Sequence, residues 1–168
     1  MIRRFGAIGD VHAEDRLLGA ALAHLASARV DTVLCVGDIV DGRGDVDACC
    51  TLLDEASALS VRGNHERWLL AREMRGLPMA HQARDLAPKT LAYLAALPVT
   101  RRLQTIAGPL LLCHGLGEDD MARLRPHDEG YALECIDALA ALRASDLAMV
   151  VADIPTSAWC ERSAHSRS

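Results

Sequence analysis

Three times within its first 66 residues the chain runs through a short apolar stretch, reaches a glycine, and then presents side chains that bind metals or carry protons. The segments are Gly9-Asp10-Val11-His12, Gly37-Asp38-Ile39-Val40-Asp41 and Gly63-Asn64-His65-Glu66. Polar groups at strand ends are the mark of a layered α/β domain, whose sites collect where a rigid sheet gives way to loops. Cys113-His114-Gly115 obeys the same strand-then-turn rule.

Asp10 and His12 are two residues apart, so in an extended segment they project to one side and can chelate one ion. Asp38 is placed to bridge two ions, Asn64 offers a neutral amide oxygen, and His114 an imidazole nitrogen. This mixed oxygen and nitrogen set suits divalent transition metals. Two such ions, roughly 3.5–4 Å apart, clamp a phosphoryl group and acidify a water between them. One Gly-Asp after a strand is ordinarily a turn or a cap, so the reading rests on the set. Asp41 reads as a loop-ordering residue rather than a ligand, and Arg43 and Arg67 as phosphate contacts or solvated charges. His24, His81, His127 and His165 lack any comparable context and are expected at the surface or partly buried. Asp119, Asp120, Asp128 and Glu129 read as solvated positions near the site's mouth.

At 168 residues one domain is expected, spanning 1–151, with 152–168 a polar tail expected to be disordered. The net charge of -5 gives no broad basic surface, so general nucleic-acid binding is not expected. No apolar stretch reaches membrane-spanning length and nothing resembles a signal peptide, which points to the cytoplasm and away from a membrane. Six cysteines (Cys35, Cys49, Cys50, Cys113, Cys135, Cys160) show no regular spacing and are expected to be reduced. Gly6-Ala7-Ile8-Gly9-Asp10 lacks the Gly-x-Gly-x-x-Gly of a dinucleotide fold.

Apolar periodicity predicts strands over 5–8, 32–36, 60–62 and 147–151, and a hairpin of 99–106 with 110–113. It predicts helices over 17–28, 45–59, 66–75, 89–97 and 131–144, with 77–88 a loop.

In order and spacing the motifs resemble the calcineurin-like metallophosphoesterase superfamily, including bacterial serine/threonine phosphatase-like members, over roughly residues 3 to 151. The resemblance implies a four-layer α/β/β/α sandwich and a phosphoesterase that uses a water activated by two divalent ions (Mn, Fe, Zn, Ni or Co). One ion would take Asp10, His12 and bridging Asp38, the other Asp38, Asn64 and His114, with His65 the proton donor to the leaving group. The substrate implied is a phosphoester, carried by a small molecule or a phosphoprotein. Two departures are small: Ala13 stands where a glycine is common, and Gly42 separates Asp41 from Arg43.

The third departure is larger. After Val151-Ala152 the family pattern has Gly-His-Thr/Ser-His, whereas this chain has Asp153-Ile154-Pro155-Thr156. Read one frame over, codons for Ala-Asp-Ile-Pro-Thr encode Gly-His-Thr/Ser-His when Ala152 ends in G, Asp153 is GAC and Pro155 is CCC, so a frameshift at Ala152, genuine or from sequencing, is expected to have replaced the last ligand loop and the strands after it. A truncated domain of this kind would be impaired as an enzyme and would expose apolar core, favouring self-association. The alternative is a non-catalytic metal- or phosphate-binding relic, or a regulatory module, of the same fold.

Overall fold

Residues 33–36 send successive side chains to opposite faces, and this alternation divides the core in two. Leu34 and Val36 pack with Val61, Leu110 and Leu112, whereas Cys35 joins a cluster containing Leu18, Val46, Leu53 and Leu94. The computed structural model describes residues 1–124, 128–134 and 136–153.

Strand β1 (Phe5–Ile8), β2 (Thr32–Cys35) and β3 (Leu59–Ser60) form a parallel sheet in that order. The register pairs Ile8 with Cys35 and Cys35 with Ser60. All three strands therefore end on one edge, and the three motif segments leave the sheet side by side. Parallel pairing requires crossovers, supplied by helix α1 (Asp15–Ser27) and helix α2 (Val46–Glu55). Asp45 caps α2 by accepting from the Ala48 N–H at 2.9 Å. Val46, Cys49, Cys50 and Leu53 form the buried stripe of α2 at helical spacing.

Helix α3 (Asn64–Ala71) starts directly after the third motif, and helix α4 (Pro88–Ala96) begins with proline, whose missing N–H costs nothing in a first turn. Strands β4 (Thr100–Thr105) and β5 (Gly108–Cys113) make an antiparallel hairpin, and β6 (Met149–Val151) pairs parallel to β5. Ile2 reaches this second sheet before the first begins: its N–H donates to Gln104 O at 3.0 Å, and its carbonyl accepts from Ile106 N at 2.9 Å. The inter-sheet cluster of Leu34, Val36, Val61, Leu110 and Leu112 joins the two sheets.

Several boundaries differ from the sequence reading. The helix expected over 45–59 ends at Glu55, because Leu59 and Ser60 already pair with β2. The helix expected from Glu66 starts at Asn64, since Glu66 accepts from the Gly63 N–H and caps that start. Arg72, in a left-handed conformation at φ 59°, stops it short of Arg75. A turn of 3-10 helix, Ala83–Asp85, interrupts the expected loop. The single helix expected over 131–144 is two, α5 (Tyr131–Glu134) and α6 (Asp137–Arg143), because Ile136 is extended (φ -93°, ψ 95°).

Cys35, Cys49, Cys50 and Cys113 are free and buried. Burial pushes the Cys35 and Cys49 thiols up to about 12, and Cys50 upward as well, so they behave as small apolar groups. Cys135, Cys160, His127, His165 and the expected tail beyond Asp153 lie outside the described residues. Among the described residues no helix is long and apolar enough to cross a membrane.

Leu34→Ala opens a cavity between the sheets and is expected to lower unfolding free energy by about 2–5 kcal/mol in urea titration. Leu17→Ala, at a side chain 68% exposed, is expected to change it by less than about 0.5 kcal/mol.

Candidate metal centre

Alignment of the strand ends is tightened by backbone bonds: His12 N–H donates to Asp38 O and Ala13 N–H to Ile39 O, both at 2.8 Å. Asp10, His12, Ala13, Asp38 and Asp41 all take left-handed φ values between 42° and 66°. Aspartate and histidine tolerate that region better than most residues, but each still costs on the order of 1 kcal/mol and needs surrounding structure to hold it.

Much of that hold comes from Glu66, fully buried in the first turn of α3. Its Oε1 accepts from Ile39 N (2.6 Å) and Val40 N (3.0 Å), its Oε2 from Asp38 N (2.9 Å) and Gly63 N (2.8 Å). Burial and repulsion from Asp38 push its pKa up, while the N–H groups of Gly63, Val40 and Ile39 favour the ionised form. Two acceptor bonds on each oxygen leave no place for a carboxyl proton. The loops also meet without side chains between them: a Cβ on Gly37, at φ +99°, would strike the backbone of Gly63, and one on Gly63 would strike Asp38.

Two groups of ligand atoms result, each within 4.8 Å of one another: Asp10, Asp38 and His114, and His12, Asp38 and His65. Asp38 belongs to both. His114 Nδ1 faces Val36 O at 2.8 Å, while Nε2 faces Asn64 Oδ1 at 2.9 Å and Asp38 Oδ2 at 3.4 Å. Burial would lower the pKa of this imidazole, but the bond to Asp38 and its charge outweigh burial and lift it to about 9. A proton on Nε2 thus faces the same oxygens that a cation would. For Asp38, burial is likewise outweighed, by His114 and His65, and its pKa falls.

His65 Nδ1 lies 2.8 Å from Asp41 Oδ2, which leaves Nε2 pointing toward Asp38 at 3.9 Å. His12 meets the His65 ring edge-on and Trp68 flanks it, with centroids 4.9 and 4.8 Å away. Asp41, whose side chain is 3% exposed, also accepts from Arg75 Nη1 (2.8 Å), Arg75 Nη2 (3.0 Å) and the His81 N–H (2.8 Å). Burial would raise its pKa, but the bonds from His65, Arg75 and His81 hold it well below the ordinary carboxylate range. His65 rises because Asp41 and Asp38 outweigh its burial.

Asp10 provides the test of whether a cation fits. Its Oδ1 is buried with no hydrogen-bond partner among the described residues, and Asp153 Oδ2 is in the same position. Burial, then repulsion from Asp153 and Asp38, raises the Asp10 pKa. Buried carboxylate oxygen without a donor is unfavourable, and a divalent ion held by carboxylate and imidazole satisfies it. The residues present fit such an ion.

The strand-end residues Asp10, His12, Asp38, Asn64, His65 and His114 converge on this centre. Arg67 does not serve it directly: Asp120 takes its guanidinium in a two-pronged pair at 2.7 and 2.8 Å. Arg43 is exposed, with its Nε against Met79 Sδ. Glu66, Arg75, His81 and Asp153 also surround the centre, outside the strand-end pattern. Glu66 had a signal, a glutamate three residues after the glycine that opens a helix; Arg75 had none, since a distant loop folds it onto Asp41.

Asp41→Ala leaves the Arg75 charge without its partner and is expected to destabilise the protein by about 3 kcal/mol at pH 7. Because the folded-state pKa of Asp41 is depressed, its contribution is complete above the unfolded value near 4 and fades as pH falls toward the folded value. The gap between wild type and variant in urea titrations should therefore narrow below about pH 4.

Comparison with known proteins identifies the family and the fold. A family model described as calcineurin-like phosphoesterase matches residues 3–155. An uncharacterized protein of Methanocaldococcus jannaschii is 32% identical over 66 residues, 39% of this chain and 27% of that protein. A metallophosphoesterase from Sphaerobacter thermophilus shares the fold with a TM-score of 0.59 at 24% identity, covering 82% of this chain and 57% of its own. A hypothetical protein from Pyrococcus horikoshii gives a TM-score of 0.68 at 14% identity, over 92% and 70%. The chain thus spans a little over half of the Sphaerobacter structure and about a quarter of the Methanocaldococcus protein. With nearly its whole length matched, the chain belongs to the calcineurin-like phosphoesterase family.

Proposed function

We propose that the chain is a metal-dependent phosphoesterase domain that hydrolyses a phosphoric ester at a dinuclear centre. The observation that carries this reading is the place of Asp38 in both donor groups, as a bridging carboxylate requires. Asp10, Asp38, Asn64 and His114 would hold one cation and His12 with Asp38 the other, a partition that moves Asp10 from the ion the resemblance gave it. When bound, two divalent ions polarise the phosphoryl oxygens and acidify a water between them. Asp41 fixes the His65 ring through Nδ1, so that Nε2 is the atom that would pass a proton to the leaving oxygen. Among Mn, Fe, Zn, Ni and Co, manganese is the first to test, and the cytoplasm is the compartment proposed.

A second reading, a non-catalytic cation-binding module, draws on Asp153-Ile154-Pro155-Thr156 standing where Gly-His-Thr/Ser-His is implied. Its proposed origin is a change of reading frame at Ala152. The strand β6 beyond which the change falls exposes Met149 and Val150, 36% and 37% accessible, which supports self-association of the chain as encoded.

Mn2+ titration with hydrolysis of a generic aryl phosphate separates the two readings: metal-dependent turnover is expected, and binding without turnover would favour the second. Asp38→Asn should abolish both. His65→Gln should lower kcat by about 10²–10⁴-fold while Mn2+ still binds, and loss of binding would make His65 a ligand instead. The coding DNA after Val151 should read Gly-His-Thr/Ser-His in a shifted frame; any other reading removes the frameshift.

A further inference from the structure

Beyond β6 the chain does not leave the centre. Val151 pairs with Leu112, and two residues later Asp153 N–H donates to His114 O at 2.8 Å, one more rung of the same ladder. This rung sets Asp153 beside His114 and opposite Asp10. Asp10 and Asp153 line one cleft of about 240 Å³, whose other walls include Ile8, Val36 and Val151.

Two independent features mark Asp153 as more than a loop residue. Its side chain is only 8% exposed, yet its Oδ2 has no hydrogen-bond partner among the described residues. Its nearest positive charge, Arg123 Nη2, stands 3.5 Å from Oδ2 on a side chain one-third exposed, an ion pair without a hydrogen bond. Across the cleft, Asp10 Oδ1 is buried and equally unpartnered. Two carboxylates confined together among apolar walls repel one another unless a cation lies between them.

We propose that Asp153 is a further cation-binding residue at the Asp10 side of the Asp10–Asp38–His114 site, toward which its carboxylate would turn when an ion is bound, since the ligand atoms already within 4.8 Å of one another are those of the other three. The proposal rests on the reading of this centre as a metal site and goes beyond it, since the resemblance places a histidine-bearing motif in this region and assigns nothing to an aspartate. It also has a chemical consequence. A site with three carboxylates, the Asn64 amide oxygen and one imidazole is harder than one completed by histidine, so it should favour Mn2+ over Zn2+ relative to a histidine-completed site.

The test is calorimetric titration of the full chain with Mn2+ and Zn2+, beside melting of the metal-free protein. Asp153→Asn keeps the shape and removes the charge; it should weaken Mn2+ binding by about tenfold or more and leave the metal-free melting temperature level or higher. Asp153→His should shift the Zn2+ to Mn2+ affinity ratio toward zinc by about tenfold. Mn2+ affinity unchanged in Asp153→Asn, with metal-free stability lowered equally in Asp153→Asn and Arg123→Ala, would overturn the proposal and make the residue a structural partner of Arg123. Should Asp153→Asn fail to fold by circular dichroism, Arg123→Ala decides: freed of its competing charge, Asp153 should bind Mn2+ several-fold tighter, and no gain would overturn the proposal. Wild type that binds no Mn2+ would instead bring down the metal-site reading itself.

Discussion

One buried carboxylate governs the geometry of the centre. Glu66 gathers N–H groups from Asp38, Ile39, Val40 and Gly63, and so fastens the loop after β2 to the start of α3. Without that anchor the left-handed turn at Asp38 would keep only its backbone bonds to His12 and Ala13 and the His65 N–H, a weaker hold on a carboxylate that stands between His114 on one side and His12 with His65 on the other. Hydrogen bonds to an ionised acceptor are the strong kind, and four on one buried group make a rigid joint. Rigidity at this joint matters because a ligand set must already hold its shape when the ion arrives.

Around the joint, charges are sorted by depth. Asp41 is neutralised within the protein by Arg75 and turned toward His65, so it orients an imidazole without competing for a cation. Asp10 and Asp153 are treated oppositely: each has one buried carboxylate oxygen without a hydrogen-bond partner among the described residues. The first arrangement is complete as it stands, whereas in the second the one ion pair among the described residues is that of Asp153 with Arg123, at 3.5 Å.

Much of this was legible in the sequence because it obeys local rules. Glycine then aspartate after an apolar run marks a strand end, and the shared register of β1, β2 and β3 turns three such marks into one site. The helix over 131–144 misled because its apolar spacing continues through Ile136, where the backbone is extended. Arg75 carries no local signal and His81 reads as an ordinary surface or partly buried histidine for another reason: their role depends on a loop folding back onto Asp41, and no spacing encodes that. Asp153 reads in the sequence as part of an out-of-frame replacement for a histidine-bearing loop, because its place beside His114 comes from a backbone bond that only the fold reveals.

The pairing of Ile2 with Gln104 and Ile106 bears on how the chain is made. A partner about a hundred residues downstream gives this contact a high loop-closure cost, and contacts of such range slow folding. During synthesis the first residues emerge long before the hairpin that receives them, while β1, α1 and β2 can already assemble. The N-terminal clasp therefore closes late, after the second sheet exists, and fastens a first half that has been waiting with its inter-sheet face uncovered.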